Sequence, residues 1–333
     1  MKKRIVINGF GRIGRIAYRL LLGSSDYEVV AINSHGTAED AAYLLKYDSV
    51  YRTLNEEVIA LSDGIKVDEY FTKVLQIDDP SLYPWGELNV DLVLECTGKF
   101  VKEEDAMKHI AAGAKHVIIS APAKGNVKTI VYGVNDGEMS LSDRIISSAS
   151  CTTNCLAPVL KVIEDNIGIE SGFMTTIHAY TNDQNTLDGS HKKGINSRRG
   201  RTSATNIVPT STGAASAIGL VIPSLSGKMD GVAYRVPVSC GSVVDTVLTL
   251  KREVSVEEVN NLFKDNQSEV LEFTLDPVVS SDVIGSNKGA LIDGLSTKVL
   301  DINKKEVKIV AWYDNEYGYT CQMLRVMDKL LKL

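Results

Sequence analysis

The sequence predicts two domains of different build: a doubly wound α/β domain with a parallel sheet over 1–150, and an α+β domain with a mixed, mainly antiparallel sheet over 151–314. Three observations carry this. Before Ser150, short continuous apolar runs alternate with stretches of helical period, as strands buried on both faces between helices require. One strand–helix junction there is Gly9-Phe10-Gly11-Arg12-Ile13-Gly14. After Ser150 the β runs lengthen and helices become fewer.

In the first domain, Arg4–Asn8 reads as a strand, Arg12–Leu22 as a helix and Glu28–Asn33 as a second strand. Val58–Val74 alternates polar and apolar residues, which predicts antiparallel ribbons. Asp91–Glu95 and His116–Ser120 read as strands around a helix at Glu103–Ala112. In the second domain, Cys151–Asn166 has helical period and Phe173–Ala179 reads as a strand. Thr181–Ser203 is a long polar stretch, and a loop of that length in a compact protein is usually functional. A helix at Gly213–Val221, strands at Gly231–Pro237 and Val243–Lys251, and a helix at Ser255–Gln267 follow. The chain closes with a strand at Val307–Tyr313 and a helix from Tyr319, within a segment 315–333 expected to pack back onto the first domain.

With 333 residues the chain exceeds what one core usually serves. Its 44% hydrophobic and 23% charged content is the balance of a soluble globular protein. A net charge of −6 argues against nucleic acid as a partner, since phosphate backbones require a basic footprint, but leaves room for local anion pockets. No apolar run is long enough to span a bilayer, and Ile5-Val6-Ile7 is too short for a signal-peptide core, so a cytoplasmic protein is expected. Five scattered cysteines do not form a disulfide framework. With no nearby cysteine pair or histidine cluster, no metal site is expected.

Gly9-Phe10-Gly11-Arg12-Ile13-Gly14 is G-x-G-x-x-G between a strand and a helix, the context of a Rossmann-type dinucleotide site. Gly9 permits the turn, Gly11 lets the backbone approach a pyrophosphate, and Gly14 permits close helix–strand packing. A glycine-rich turn without a ligand is the plainer alternative. The second strand ends in Asn33-Ser34-His35, where an acid commonly holds the ribose 2′-hydroxyl. Its absence removes a barrier to a 2′-phosphate, to which Ser34 could donate. No arginine stands beside Ser34, so this position alone leaves NAD and NADP both open.

Cys151 opens a helix within Ser150-Cys151-Thr152-Thr153-Asn154-Cys155. A helix N-terminus stabilises a thiolate, whereas a lone cysteine is more often a small buried hydrophobe. His178 ends an apolar strand, where α/β proteins mount catalytic groups. A single histidine is more often structural, but with a helix-start cysteine it is the natural base. Cys155 reads as structural.

These segments, with His178-Ala-Tyr-Thr-Asn-Asp-Gln184, Pro209-Thr-Ser-Thr-Gly-Ala-Ala215, Arg235-Val-Pro237 and Trp312-Tyr-Asp-Asn-Glu-Tyr-Gly-Tyr319, resemble the glyceraldehyde-3-phosphate dehydrogenases along essentially the whole chain. The resemblance implies a dinucleotide-binding domain at 1–150 and a catalytic domain at 151–314. It implies phosphorylating, reversible oxidation of D-glyceraldehyde 3-phosphate to 1,3-bisphosphoglycerate, with a thioester on Cys151 and His178 as base. It assigns Thr181, Asp183 and Arg235 to the substrate's C3 phosphate, and Ser150, Thr152, Arg199, Thr212 and Gly213 to attacking inorganic phosphate. Read from residues alone, Arg198–Arg201 could equally be a solvated basic run or a subunit contact. Asn315 would hold the nicotinamide carboxamide, and Asn33, Thr97 and Ser120 would touch the cofactor. The family's NAD-preferring members usually carry Asp where this chain has Ser34, and Leu-Pro where it has Gly189-Ser190. Ser34 and Ser190 would face one ribose from neighbouring subunits of a homotetramer, which leads to the expectation of NADP preference or dual use. An erythrose-4-phosphate dehydrogenase shares the cysteine and histidine; the intact Thr210–Ala215 segment favours the glyceraldehyde enzyme.

Overall fold

The computed structural model describes residues 1–333 and resolves two compact units. The first comprises Met1–Ile130, Asp136–Ala149 and Met323–Leu333; the second comprises Val131–Asn135 and Ser150–Gln322.

The first unit holds β1 (Lys3–Asn8), α1 (Arg12–Leu21), β2 (Tyr27–Asn33), α2 (Ala38–Lys46), β3 (Val58–Leu61), β4 (Gly64–Val67), β5 (Tyr70–Leu75), β6 (Leu92–Glu95), α3 (Glu103–Ala111), β7 (His116–Ile119), β8 (Lys128–Thr129) and β9 (Ile145–Ser147). Its sheet runs β3-β4-β5-β2-β1-β6-β7-β9-β8. From β5 to β8 every pairing is parallel. The antiparallel ribbon expected over 58–74 is present as β3–β5, but β5 also pairs with β2 and so joins the ribbon to the main sheet. The central strands are apolar because both faces are covered: Ile5, Val6, Ile7, Leu92, Val93 and Leu94 are all fully buried. α1 buries Gly14, Tyr18 and Leu21 along one stripe.

β1 is flanked by β2 and β6, so the chain leaves its carboxyl end in opposite directions. Such a switch point opens a crevice above the strand ends, which here are Asn8, Asn33 and Glu95. Gly9 makes the turn out of β1 at φ +97°, and a Cβ there would lie 2.7 Å from the Cys96 carbonyl carbon and the Thr97 nitrogen. A Cβ on Gly14 would stand 2.1 Å from the Gly9 carbonyl oxygen.

The second unit holds α4 (Cys151–Asn166), β10 (Ile169–Ala179), β11 (Val208–Ser211), α5 (Ala214–Val221), β12 (Met229–Val236), β13 (Ser242–Leu250), α6 (Val256–Asp265), β14 (Leu271–Thr274), β15 (Ala290–Asp293), β16 (Lys298–Leu300) and β17 (Asn303–Tyr313); α7 (Tyr317–Lys332) begins in this unit. Its sheet runs β11-β12-β10-β13-β17-β15-β14, with β16 on β17. β10–β12 and β14–β15 are parallel and the other pairs antiparallel, which is the mixed sheet the sequence predicts. Period two along β10 places Met174, Thr176 and His178 on its buried face, while Phe173 points to solvent. α4 packs on this sheet through buried Cys155, Leu156, Val159 and Leu160.

Candidate functional site

In the first unit, a cleft of about 420 Å³ lies over the strand ends and is lined by Asn8, Phe10, Gly11, Asn33, Ser34, His35, Asp78, Thr97, Lys99 and Phe100, among others. α1 opens at Gly11 with no side-chain cap, and a Cβ on Gly11 would meet nothing within 4 Å. An uncapped helix start behind open backbone is the arrangement a pyrophosphate fits. Of the residues expected to contact a cofactor here, Phe10, Gly11, Asn33, Ser34 and Thr97 border the cleft. Gly9 and Gly14 shape it from behind, and Ile13 follows in α1. The Arg12 side chain is committed elsewhere: its guanidinium pairs with Asp48 and lies 5.5 Å from the Tyr51 ring centroid. Asn33 gives its amide to Asn8 at 2.8 Å and the Ile77 carbonyl at 2.9 Å, and accepts from the Ile77 N–H at 2.9 Å, so it braces the wall. Ser120, at the end of β7, donates its N–H to the Glu95 carbonyl at 3.0 Å and is not among the lining residues.

Beneath the cleft lies a network that the sequence analysis does not single out. The Glu95 carboxylate is fully buried. It accepts from Asn8 Nδ2 at 2.5 Å, from the Thr97 N–H at 2.8 Å and from the Thr97 hydroxyl. Trp85 Nε1–H donates to His109 Nδ1 at 3.0 Å, so His109 carries its proton on Nε2 and donates it to Glu95 at 3.1 Å. Glu95 thereby fixes two residues of the cleft, and its one sequence signal is an acid closing an otherwise apolar strand.

In the second unit, α4 begins at Cys151 with Ser150 as N-cap; the Ser150 hydroxyl accepts the Thr153 N–H at 3.1 Å. The residue before the cap, Ala149, sits at φ +59°, a left-handed conformation that costs a non-glycine residue about 1–2 kcal/mol. Cys151 Sγ lies 3.3 Å from His178 Nε2. His178 Nδ1 is 2.6 Å from the Ala179 carbonyl oxygen and 3.0 Å from Arg235 Nη1. The carbonyl can only accept and the guanidinium can only donate, so Nδ1 bonds one of them; the carbonyl is the nearer, and Arg235 has other acceptors, so Nδ1 carries the proton and Nε2 presents a lone pair to the sulfur. Arg235 then donates to the same carbonyl at 3.1 Å and to the Thr181 hydroxyl at 2.9 Å.

Burial pushes the Cys151 thiol up, against the pull of Arg235 and the hydrogen bonds from Thr152. Burial, then the charge of Arg235, takes the His178 imidazole down to about 3. Neither group carries a charge readily alone. One proton passing from Sγ to Nε2 charges both at once, as a pair.

Of the two anion sets that the resemblance separates, Arg199 of the second is bonded to Asp183 of the first. Asp183 accepts from the Thr181 hydroxyl and from Arg199, whose Nε also donates to Thr210 Oγ1 at 3.2 Å. Burial acts to raise Asp183, but the Thr181 bond and the Arg199 charge outweigh it and hold the carboxyl below its usual range. The Thr152 hydroxyl faces inward, 3.0 Å from the Tyr313 hydroxyl, which also meets Thr176 Oγ1 at 2.9 Å. Tyr313 therefore ties α4 to β10 from β17, a role not singled out in the sequence. Thr212 accepts the Ala214 N–H at 3.2 Å, and Gly213 opens α5 with free space over its Cα. Ser190 is exposed, its carbonyl accepting from Asn185 at 3.2 Å. Asn315 is 4% exposed; Ser242 Oγ donates to its Oδ1 at 2.8 Å, which orients the amide and leaves the buried Nδ2 donor with no partner. An oriented, unsatisfied donor suits a carboxamide oxygen, so Asn315 fits the nicotinamide end of a dinucleotide.

Family models for the glyceraldehyde 3-phosphate dehydrogenase NAD binding domain and C-terminal domain match residues 3–103 and 150–315. The chain is 51% identical over 331 residues to glyceraldehyde-3-phosphate dehydrogenases of Clostridium acetobutylicum and Clostridium pasteurianum, covering 99% of each protein. It is 47% identical over 335 residues to that of Streptococcus pyogenes, covering 100% of this chain and 99% of the relative. A strand-end cleft behind G-x-G-x-x-G, a cysteine–histidine pair on a mixed sheet and similarity along the full length agree: the chain belongs to the glyceraldehyde-3-phosphate dehydrogenase family of oxidoreductases, which use a nicotinamide cofactor.

Proposed function

We propose that this chain catalyses the phosphorylating, reversible oxidation of D-glyceraldehyde 3-phosphate to 1,3-bisphosphoglycerate through a thioester on Cys151, with NADP or both NADP and NAD as cofactor. The observation that carries this reading is the 3.3 Å approach of Cys151 Sγ to a His178 Nε2 whose ring is locked by its Nδ1 proton. Cys151 Sγ bonds the aldehyde carbon as its proton passes to Nε2 and on to the carbonyl oxygen, giving a hemithioacetal. His178 Nε2 then withdraws that hydroxyl proton as the carbon–hydrogen bond breaks and a thioester forms. A bound nicotinamide would supply the hydride acceptor for this step. Inorganic phosphate attacks the thioester carbon, the carbon–sulfur bond breaks, and Sγ recovers its proton from Nε2. The Cys151 N–H at the start of α4 and the protonated Nε2 face the oxyanion. Arg235 and Thr181 are assigned to the C3 phosphate, and Arg199, Ser150, Thr152, Thr212 and Gly213 to inorganic phosphate. Asp183 spaces the two arginines between these duties. Asn315, with its amide oriented by Ser242, is assigned to the carboxamide.

A homotetramer is part of this reading. The solvent face of the second sheet carries Phe173 and Val247, directly paired across β10 and β13, with Tyr234 on β12, all exposed apolar groups of the kind a second copy covers. No helix is long and apolar enough to cross a membrane, and we place the enzyme in the cytoplasm.

The test is the initial rate of aldehyde oxidation with NAD and with NADP, each with and without inorganic phosphate. The expected result is a phosphate-dependent rate on glyceraldehyde 3-phosphate that runs on NADP. A rate that persists without phosphate, or a higher kcat/KM on erythrose 4-phosphate, sinks the assignment.

A further inference from the structure

Ser34 stands directly after β2, at the position from which the ribose 2′ substituent is read in this architecture. The sequence around it offers no arginine, but the fold supplies another cation. Lys99, on the loop after β6, lines the same cleft as Ser34, His35 and Asp78. Its Nζ lies 3.2 Å from His35 Nε2, and His35 Nδ1 lies 3.1 Å from Asp78 Oδ1. An ammonium can only donate, so His35 Nε2 accepts from Lys99 while Nδ1–H donates to Asp78. The carboxylate and the ammonium are thus held on opposite nitrogens of one ring. Asp78 orients the imidazole, and the imidazole holds a long, otherwise freely moving side chain in place. Ser34 Oγ accepts the Gly36 N–H at 3.2 Å, which leaves its own proton available to donate.

We propose that Lys99, held by His35 and Asp78, forms with Ser34 a clamp that reads the 2′-phosphate of NADP and sets the cofactor preference; this rests on the dinucleotide reading of the cleft. A neutral 2′-hydroxyl gains little from an ammonium that already has a partner. A 2′-phosphate presents charge and three acceptor oxygens, for which Lys99 and the Ser34 hydroxyl are donors. The Asp78 carboxylate is paired with His35 and not with Lys99 itself. No acid occupies position 34 to oppose it.

The experiment is calorimetric titration of the full-length protein with NADP and with NAD, for wild type, Lys99→Met, Lys99→Arg and His35→Gln. Loss of one charge-assisted contact lowers the NADP/NAD affinity ratio by about tenfold or more in Lys99→Met. Lys99→Arg retains the ratio to within a few fold, and His35→Gln lowers it by less than Lys99→Met does. Wild-type NADP affinity falls with added salt more steeply than NAD affinity, and Lys99→Met removes that difference. The clamp is overturned by an unchanged ratio in Lys99→Met, by equal losses on both cofactors, or by a wild type that binds NAD tenfold tighter than NADP. In each of those cases dinucleotide binding survives, whereas a wild type that binds neither cofactor overturns the dinucleotide reading itself.

Discussion

The two functional regions solve recognition and chemistry with different materials. The turn under the cleft of the first sheet is shaped by backbone: Gly9, Gly11 and Gly14 matter for the atoms they lack. The cysteine site in the second unit is closed and built from side chains, with His178 2% exposed and each ring nitrogen assigned by its neighbours. In the first region a wrong atom at Gly9 or Gly14 obstructs the fold, and at Gly11 it obstructs the ligand alone. In the second, a wrong atom leaves the packing intact and misplaces a proton.

The largest effect that sharpens this contrast is His178→Asn. Removing a positioned general base costs about 10²–10⁴ in rate, and the loss is expected in kcat with the fold retained. Stability moves the other way. Burial holds the folded pKa of His178 at about 3, below the roughly 6.5 of a free imidazole. Between those values the unfolded chain binds a proton that the folded chain excludes, so stability is full above the unfolded pKa and falls as pH drops toward the folded one. At pH 5 this amounts to about 2 kcal/mol, which the variant no longer loses. Denaturant titrations at pH 5 and 7 measure it; an acid limb as steep in His178→Asn as in wild type contradicts a buried neutral ring.

Gly14→Ala probes the other region. The added Cβ falls 2.1 Å from a backbone oxygen, where no rotamer change relieves the clash, and a loss of about 3 kcal/mol or more is expected. Thermal denaturation reads the loss directly. Soluble variant at wild-type stability, with dinucleotide affinity unchanged, would show that the approach of α1 to β1 is not what the motif secures.

The same contrast governs what was legible in the sequence. Gly9-x-Gly11-x-x-Gly14 could be recognised locally because the residue type itself, through φ and missing atoms, is the structural requirement. The strand at 173–179 was equally local and placed His178 at a strand end, without showing which face it takes. That His178 meets Cys151 depends on the packing of α4 against the sheet, which no local pattern encodes; resemblance supplied it. The Tyr313 tie and the Lys99–His35 contact were hidden for the same reason, each joining residues far apart in sequence. α2 and the short strands β8, β9, β11 and β14–β16 were also missed. For α2 a signal existed in the Thr37–Asp40 capping box, whereas strands of two to four residues are too short to show a period.

Asn315 tests the proposed carboxamide contact, since it is a buried side chain whose amide oxygen has a partner and whose amide donor has none. Asn315→Asp keeps the acceptor toward Ser242 and replaces the unpartnered donor with an oxygen. If that donor holds the nicotinamide carboxamide, affinity for the oxidised dinucleotide falls about tenfold, the worth of one hydrogen bond turned to repulsion. ADP-ribose, which has no carboxamide, separates function from packing: its affinity should stay near wild type. Equal weakening of both ligands would mean that Asn315 only supports the turn between β17 and α7. An unchanged dinucleotide affinity would mean that the amide's free donor faces something other than the cofactor.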